Sequence, residues 1–166
     1  MLLVLLTVLS VTGFSQNLNT LKKLEVAPDR PEEIQAIIAK KADTLLLIRL
    51  LPQLVNLEIL DISSSKLNIL PEGICNLTRL RELRLGNNNI NVIPDCICKL
   101  KNLTVLTLWD NNVYKIPDCL ATMPKLKQLD LYGMEYNFQE QADLKAKFPN
   151  LRIIFSEPCN CHFEEE

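Results

Sequence analysis

The sequence predicts an α/β solenoid: a curved segment with a parallel β-sheet on its concave side, a slim 3₁₀ or extended convex side, and a short capping helix at each end. Three observations predict it. A phrase of aliphatic residues recurs every 23 residues. Within the phrase the aliphatic positions alternate with period two and then fall at intervals of three. The composition supplies an aliphatic core, since 48% of residues are hydrophobic but only 5% aromatic, and four glycines are too few for a barrel full of tight turns. Self-similarity at a period of about 20–50 residues marks a stack of supersecondary units, none of which buries its apolar face alone.

Leu57, Leu80, Leu103 and Leu126 open the copies, and each begins Leu-x-x-Leu-x-Leu/Ile. The second copy reads Leu80, Leu83, Leu85, Asn88, Ile90, Ile93, Pro94, Ile97 and Leu100; the third reads Leu103, Leu106, Leu108, Asn111, Val113, Ile116, Pro117, Leu120 and Met123. The first runs Leu57, Leu60, Ile62, Ser65, Leu67, Leu70, Pro71, Ile74 and Leu77. Alternating leucines point to one side of a short strand, so stacking the copies as parallel strands builds a continuous apolar column. Asn88 and Asn111 fall at the turn after the strand, where an amide with both donor and acceptor can join its own turn to the next in a ladder. Proline then suits an irregular return segment, where no strand hydrogen bond is lost. The spacing of three that follows fits 3₁₀ turns.

In these residues the chain resembles the leucine-rich-repeat proteins of the 23-residue type, found among Ras-suppressor-like proteins and exported bacterial proteins. The resemblance covers roughly Pro31 to Phe155 and implies a horseshoe segment. Its motif is specific for fold and says little about function.

The pattern weakens at both ends. Ser65 stands in the first ladder position and can supply part of the hydrogen bonding; Met134 stands in the last and cannot, so the regular solenoid should stop there. Upstream, Leu51, Leu54 and Leu57 match the spacing of Ile74, Leu77 and Leu80, and Thr44 to Ile48 reads as a shortened first strand. Pro31 to Lys41 reads as a capping helix, with Asp29 before it, Glu32 and Glu33 in its first turn, and Ile34, Ile37 and Ile38 on one face. Downstream, Gln139 to Phe148 reads as a second helix stopped by Pro149, and Leu151 to Phe155 as a last strand. The expected organisation is therefore a signal peptide over residues 1–15, an N-terminal flank and capping helix over 16–43, repeats over 44–134, a C-terminal helix and strand over 135–156, and an acidic cysteine-containing tail over 157–166.

Leu2 to Val11 is apolar apart from Thr7 and Ser10, and Gly13 and Ser15 give small residues at a cleavage site before Gln16. The run is too short to span a bilayer, so no stable span is expected in the mature form. No Lys or Arg precedes it. The expected location is secreted, periplasmic or on the cell surface, and cytoplasmic if the run is not a signal. A formal charge of −2 without basic runs gives no reason to expect nucleic acid as a partner.

Six cysteines suit an exported protein. Cys75 and Cys98 lie 23 residues apart, as do Cys96 and Cys119, so each pair occupies equivalent places on adjacent coils of the convex side and is a candidate disulfide; buried free thiols are the alternative. Cys159, Cys161 and His162 are too closely spaced for a structural zinc site, and no metal or other cofactor is expected. No nucleophile–base pair, carboxylate pair or phosphate cradle points to an enzyme. Asn76-Leu77-Thr78 and Asn102-Leu103-Thr104 match the glycosylation pattern, but each central leucine is a repeat position that accounts for the triplet.

The outward residues of stacked strands align in columns on the concave face: Ile59, Glu82, Val105 and Gln128; Asp61, Arg84, Thr107 and Asp130; Ser63, Gly86, Trp109 and Tyr132; Ser64, Asn87, Asp110 and Gly133. Trp109 is expected to stand exposed beside Tyr132, with Gly86 leaving room for an inserted group; folding of Trp109 over its neighbours is the alternative. For Arg84 the alternative to a binding role is lateral pairing with Asp61 and Asp130. Asp61, Arg84, Thr107, Trp109, Asp110, Asp130 and Tyr132 form the expected contact surface for a protein or peptide. The expected function is a non-catalytic protein-binding module. An intracellular scaffold or adaptor and a cell-surface structural or adhesion element are the alternatives.

Overall fold

The computed structural model describes residues 7–8, 35–39 and 48–158. Seven strands form one sheet in sequence order: β1 (Thr7–Val8), β2 (Ala36–Ile38), β3 (Ile59–Asp61), β4 (Glu82–Arg84), β5 (Val105–Thr107), β6 (Gln128–Asp130) and β7 (Arg152–Ile154). Strands β2 to β7 are parallel, and β1 pairs antiparallel with the free edge of β2. The register matches the repeat: Leu60, Leu83, Leu106 and Leu129 are laterally paired and wholly buried. Each such leucine contributes about 1.5–3 kcal/mol of burial.

The convex side consists of 3₁₀ turns at Leu51–Gln53, Glu72–Asn76, Asp95–Lys99 and Asp118–Thr122. Pro71, Pro94 and Pro117 precede the last three, with φ of −59°, −71° and −63°. Each proline carbonyl accepts from the amide three residues on, at Ile74, Ile97 and Leu120. Those three residues are fully buried, so each turn drives one apolar side chain into the core.

Two disulfides staple the turns, and their pairing differs from the equivalent-position pairing expected from the period. Cys75 bonds Cys96 and Cys98 bonds Cys119, each over 21 residues, with Cα separations of 5.6 and 6.0 Å. Equivalent positions of a translational repeat have parallel Cα–Cβ directions, whereas a disulfide needs directions that converge. The fourth residue of one turn therefore reaches the second residue of the next.

The N-terminal expectation is corrected. Ala36–Ile38 is a strand, not part of a helix over Pro31 to Lys41, and it supplies the first parallel strand in place of Thr44 to Ile48. Ile37 stands 23 residues before Leu60 and pairs with it, so the repeat reaches one coil further back. Residues 48–50 are helical and run into the first 3₁₀ turn; Thr44 to Leu47 lie outside the described residues. The leader-like run apart from Thr7–Val8, Asp29, and Cys159, Cys161 and His162 lie outside the described residues.

At the other end, helix α1 (Phe138–Lys147) and strand β7 fall within a residue of expectation. Asn137 caps α1: its side chain accepts from Glu140 N at 2.9 Å, while Glu140 Oε2 accepts from Asn137 N at 2.8 Å. Phe148 is buried against the last coil, and Gln141 donates to the carbonyls of Tyr136 and Ser156. The Tyr136 and Phe155 rings meet edge to face at 5.7 Å. An aromatic and polar plug thus closes the open end of the aliphatic column.

Candidate functional site: the concave face

The ladder that holds this face in place forms as its residue types require. Asn88 Oδ1 accepts from Ser65 N at 2.9 Å and Leu67 N at 3.1 Å, and Nδ2 donates to Leu85 O at 2.7 Å and Ile62 O at 3.2 Å. Asn111 repeats the scheme, accepting from Ile90 N and donating to the carbonyls of Leu85 and Leu108. Ser65 Oγ donates to the carbonyls of Ala39 and Ser63 at 3.4 and 3.5 Å, longer than the amide bonds of Asn88. Met134 is buried in the corresponding place of the next coil and offers no amide to Val113.

The column Ser64, Asn87, Asp110 and Gly133 has a backbone cause that its sequence conceals. Their φ values are 59°, 53°, 48° and 77°, so each coil from β3 to β6 leaves its strand through a left-handed residue. Asn, Asp and Gly tolerate that region, which accounts for most of the column. A Cβ at Gly133 would collide with the Asp110 carboxylate, so these two residues sit in direct apposition.

Trp109 is half-buried, not freely exposed, and the space at Gly86 is already taken. A Cβ at Gly86 would collide with the Trp109 indole. The missing side chain on β4's exit seats the ring, so a ligand group does not enter there as expected. Tyr132 stands free at 57% exposure.

The charged positions also separate. Asp61 is buried and accepts from Ser63 N at 3.1 Å, closing its own turn; Asp130 accepts from Tyr132 N at 3.0 Å in the same way but is only half-buried. Arg84 pairs with Glu82 on its own strand at 2.6 Å, not with Asp61 or Asp130 across the sheet. Residues two apart on a strand share one face, and this bond is short enough to win over lateral partners. Thr107 lies between Arg84 and Asp130 in register, its Oγ1 buried with no hydrogen-bond partner among the described residues.

Beside this face, between the last two coils, a cleft of about 440 Å³ is lined by Asn111, Val113, Tyr114, Gly133, Tyr136 and Glu140 among others. The Tyr136 hydroxyl donates to Val113 O at 2.9 Å. Burial, with the nearby Glu140 carboxylate adding to it, pushes that phenol up to about 12. No periodic signal announced this cleft, because it exists where the period fails. Among the described residues no His, Cys, Asp and Glu cluster has metal-binding geometry, and no helix is long and apolar enough to cross a membrane. Asn102, in one glycosylation-like triplet, donates to Thr78 O and accepts from Lys125.

Stacked parallel strands, a buried asparagine ladder and a slim 3₁₀ return define a repeat solenoid with an extended concave surface. Residues 38–164 match the family described as a leucine-rich repeat region. A solved leucine-rich-repeat protein of Leptospira interrogans is similar, with 23% identity and a TM-score of 0.60, over 76% of this chain and 32% of that one. An internalin of Listeria monocytogenes aligns at 18% identity and a TM-score of 0.47, over 69% of this chain and 39% of that one. This chain therefore spans well under half the length of either solved protein. No curated protein matches it. The chain belongs to the leucine-rich repeat family. That family's fold is a protein-interaction module and is typically non-catalytic.

Proposed function

We propose that the protein is an exported, non-catalytic module that takes a protein or peptide on its concave face. The observation that carries this reading is the open sheet face with Tyr132 exposed at its C-terminal side next to Trp109 seated on Gly86. An exposed tyrosine beside a ring held rigid by packing offers contact area at low entropic cost. The two disulfides support the export part, since such bonds persist in oxidising compartments.

The test is binding to a partner captured from the native host's envelope or medium and then purified. Tyr132→Ala should weaken that complex, whereas Lys99→Ala on the convex side should not. Equal affinity for all three proteins would sink the concave-face reading. Trp109→Ala is a poor probe, because it also empties the place over Gly86. Export is tested by intact mass with thiol alkylation on protein from the native host: a chain beginning at Gln16 with fewer than six reactive thiols is expected. One observation favours a second reading, an intracellular scaffold: Thr7–Val8 pairs with the edge of β2, where an uncleaved N-terminal run would lie. A full-length mass with six free thiols would select it.

A further inference from the structure

We infer that the concave face recognises a segment of protein presenting arginine or lysine side chains, received between Trp109, Tyr132 and the carboxylates of Asp110 and Asp130. This inference rests on the concave-face reading and specifies the chemistry of its partner.

The charges of the face are unevenly balanced. On β4, Glu82 and Arg84 neutralise each other at 2.6 Å. Asp61 is buried and turned to its own backbone. On the Trp109 side, neither remaining carboxylate forms an ion pair among the described residues; the nearest cation in register, Arg152 on β7, stands beside Gln128 rather than Asp130. Asp130 is paired in register with Thr107 on one strand and Ile154 on the other, both uncharged. Asp110 lies between Asn87 and Gly133 in its column, again without charge, and its backbone amide donates to Tyr132 O at 2.8 Å.

Two aromatic rings accompany these carboxylates. Tyr132 follows Asp130 by two residues and Trp109 directly precedes Asp110. A guanidinium or ammonium group gains from an aromatic face and from a carboxylate together, and arginine suits both through its flat, forked donors. The whole chain carries a formal charge of only −2, so general attraction for cations is small and the recognition must be local.

The fold permits a substitution that removes charge and little else. Asn87 already occupies the left-handed position equivalent to Asp110. An asparagine at 130 retains the oxygen that accepts from Tyr132 N. Asp110→Asn with Asp130→Asn therefore leaves the backbone scheme intact, which circular dichroism and the urea midpoint verify.

The experiment is fluorescence anisotropy on the full chain with three labelled peptides of equal length, alternating glycine with arginine, glutamine or glutamate. Wild type should prefer the arginine peptide, with affinity falling as salt rises. The double asparagine variant and, separately, Tyr132→Ala should each weaken it at least about tenfold. Loss of binding in Tyr132→Ala but not in the double asparagine variant would overturn the basic-partner inference and leave the concave-face reading standing. Unchanged binding in both variants would overturn the two together. Failure of wild type to prefer arginine over glutamine overturns the inference outright.

Discussion

Replacing Asn88 with alanine should be among the most damaging polar substitutions in this chain, and the structure sets the size of the effect. Asn88 is 6% exposed and joins its own turn to the preceding one. Of the carbonyls it serves, Leu85 O keeps a bond from Asn111 Nδ2 and Gly86 O keeps one from Ser64 N. Those two carbonyls remain satisfied. Ile62 O loses the 3.2 Å bond from Nδ2, and the amides of Ser65 and Leu67 lose their shared acceptor. An unsatisfied buried group costs about 1–3 kcal/mol, so two to three of them predict a loss of about 3–5 kcal/mol. The lower half of the summed range applies because Asn87 and Asn89 are exposed and water can approach the turn. Ser65→Ala is the comparison: its hydroxyl donates to the carbonyls of Ala39 and Ser63 at 3.4 and 3.5 Å, and a single hydroxyl makes the expected loss smaller, about 1 kcal/mol. Urea unfolding followed by circular dichroism measures both variants, and hydrogen exchange at the Leu67 amide localises the defect. A loss below about 1 kcal/mol for Asn88→Ala, or equal losses in the two variants, would refute the ladder argument.

Three further outcomes are expected. Gly86→Ala should expel the Trp109 indole, shifting the fluorescence of the only tryptophan to the red and destabilising the fold by about 1–3 kcal/mol; an unmoved emission maximum would contradict the packing. Opening the Cys75–Cys96 bridge by paired serine substitution should cost about 3 kcal/mol for a loop of 21 residues, whereas pairing Cys75→Ser with Cys98→Ser breaks both bridges and should cost more. Tyr136 has a folded pKa of about 12 against 10.0 in the unfolded chain, so the fold binds its proton more tightly. Its stabilising contribution is complete below pH 10 and is lost as pH rises toward 12; Tyr136→Phe should abolish that dependence, and an unchanged alkaline profile would exclude the burial argument.

The sequence alone determined the parallel sheet, its register and its ladder, because the 23-residue period is a translation along one axis. Leu60, Leu83 and Leu106 must stack if any of them is to be buried, and Asn88 and Asn111 follow from the same step. It also placed α1 and β7, where Pro149 gives a local stop signal. What it left open depends on direction within a coil. Ile34, Ile37 and Ile38 suit a helix face as well as a strand, and only docking of Ile37 beside Leu60 chose the strand. Equal spacing suggested Cys75 with Cys98, but convergence of side chains across two turns selected Cys96.

The contact face divides in the same way. The columns were legible, yet the tertiary structure decided that Trp109 fills the place over Gly86, that Arg84 turns to Glu82, and that Asp61 closes its own turn. Periodicity reports which side of a strand a residue occupies. Which neighbour its side chain meets there is settled by rotamers and competing partners, which only the packed coils supply.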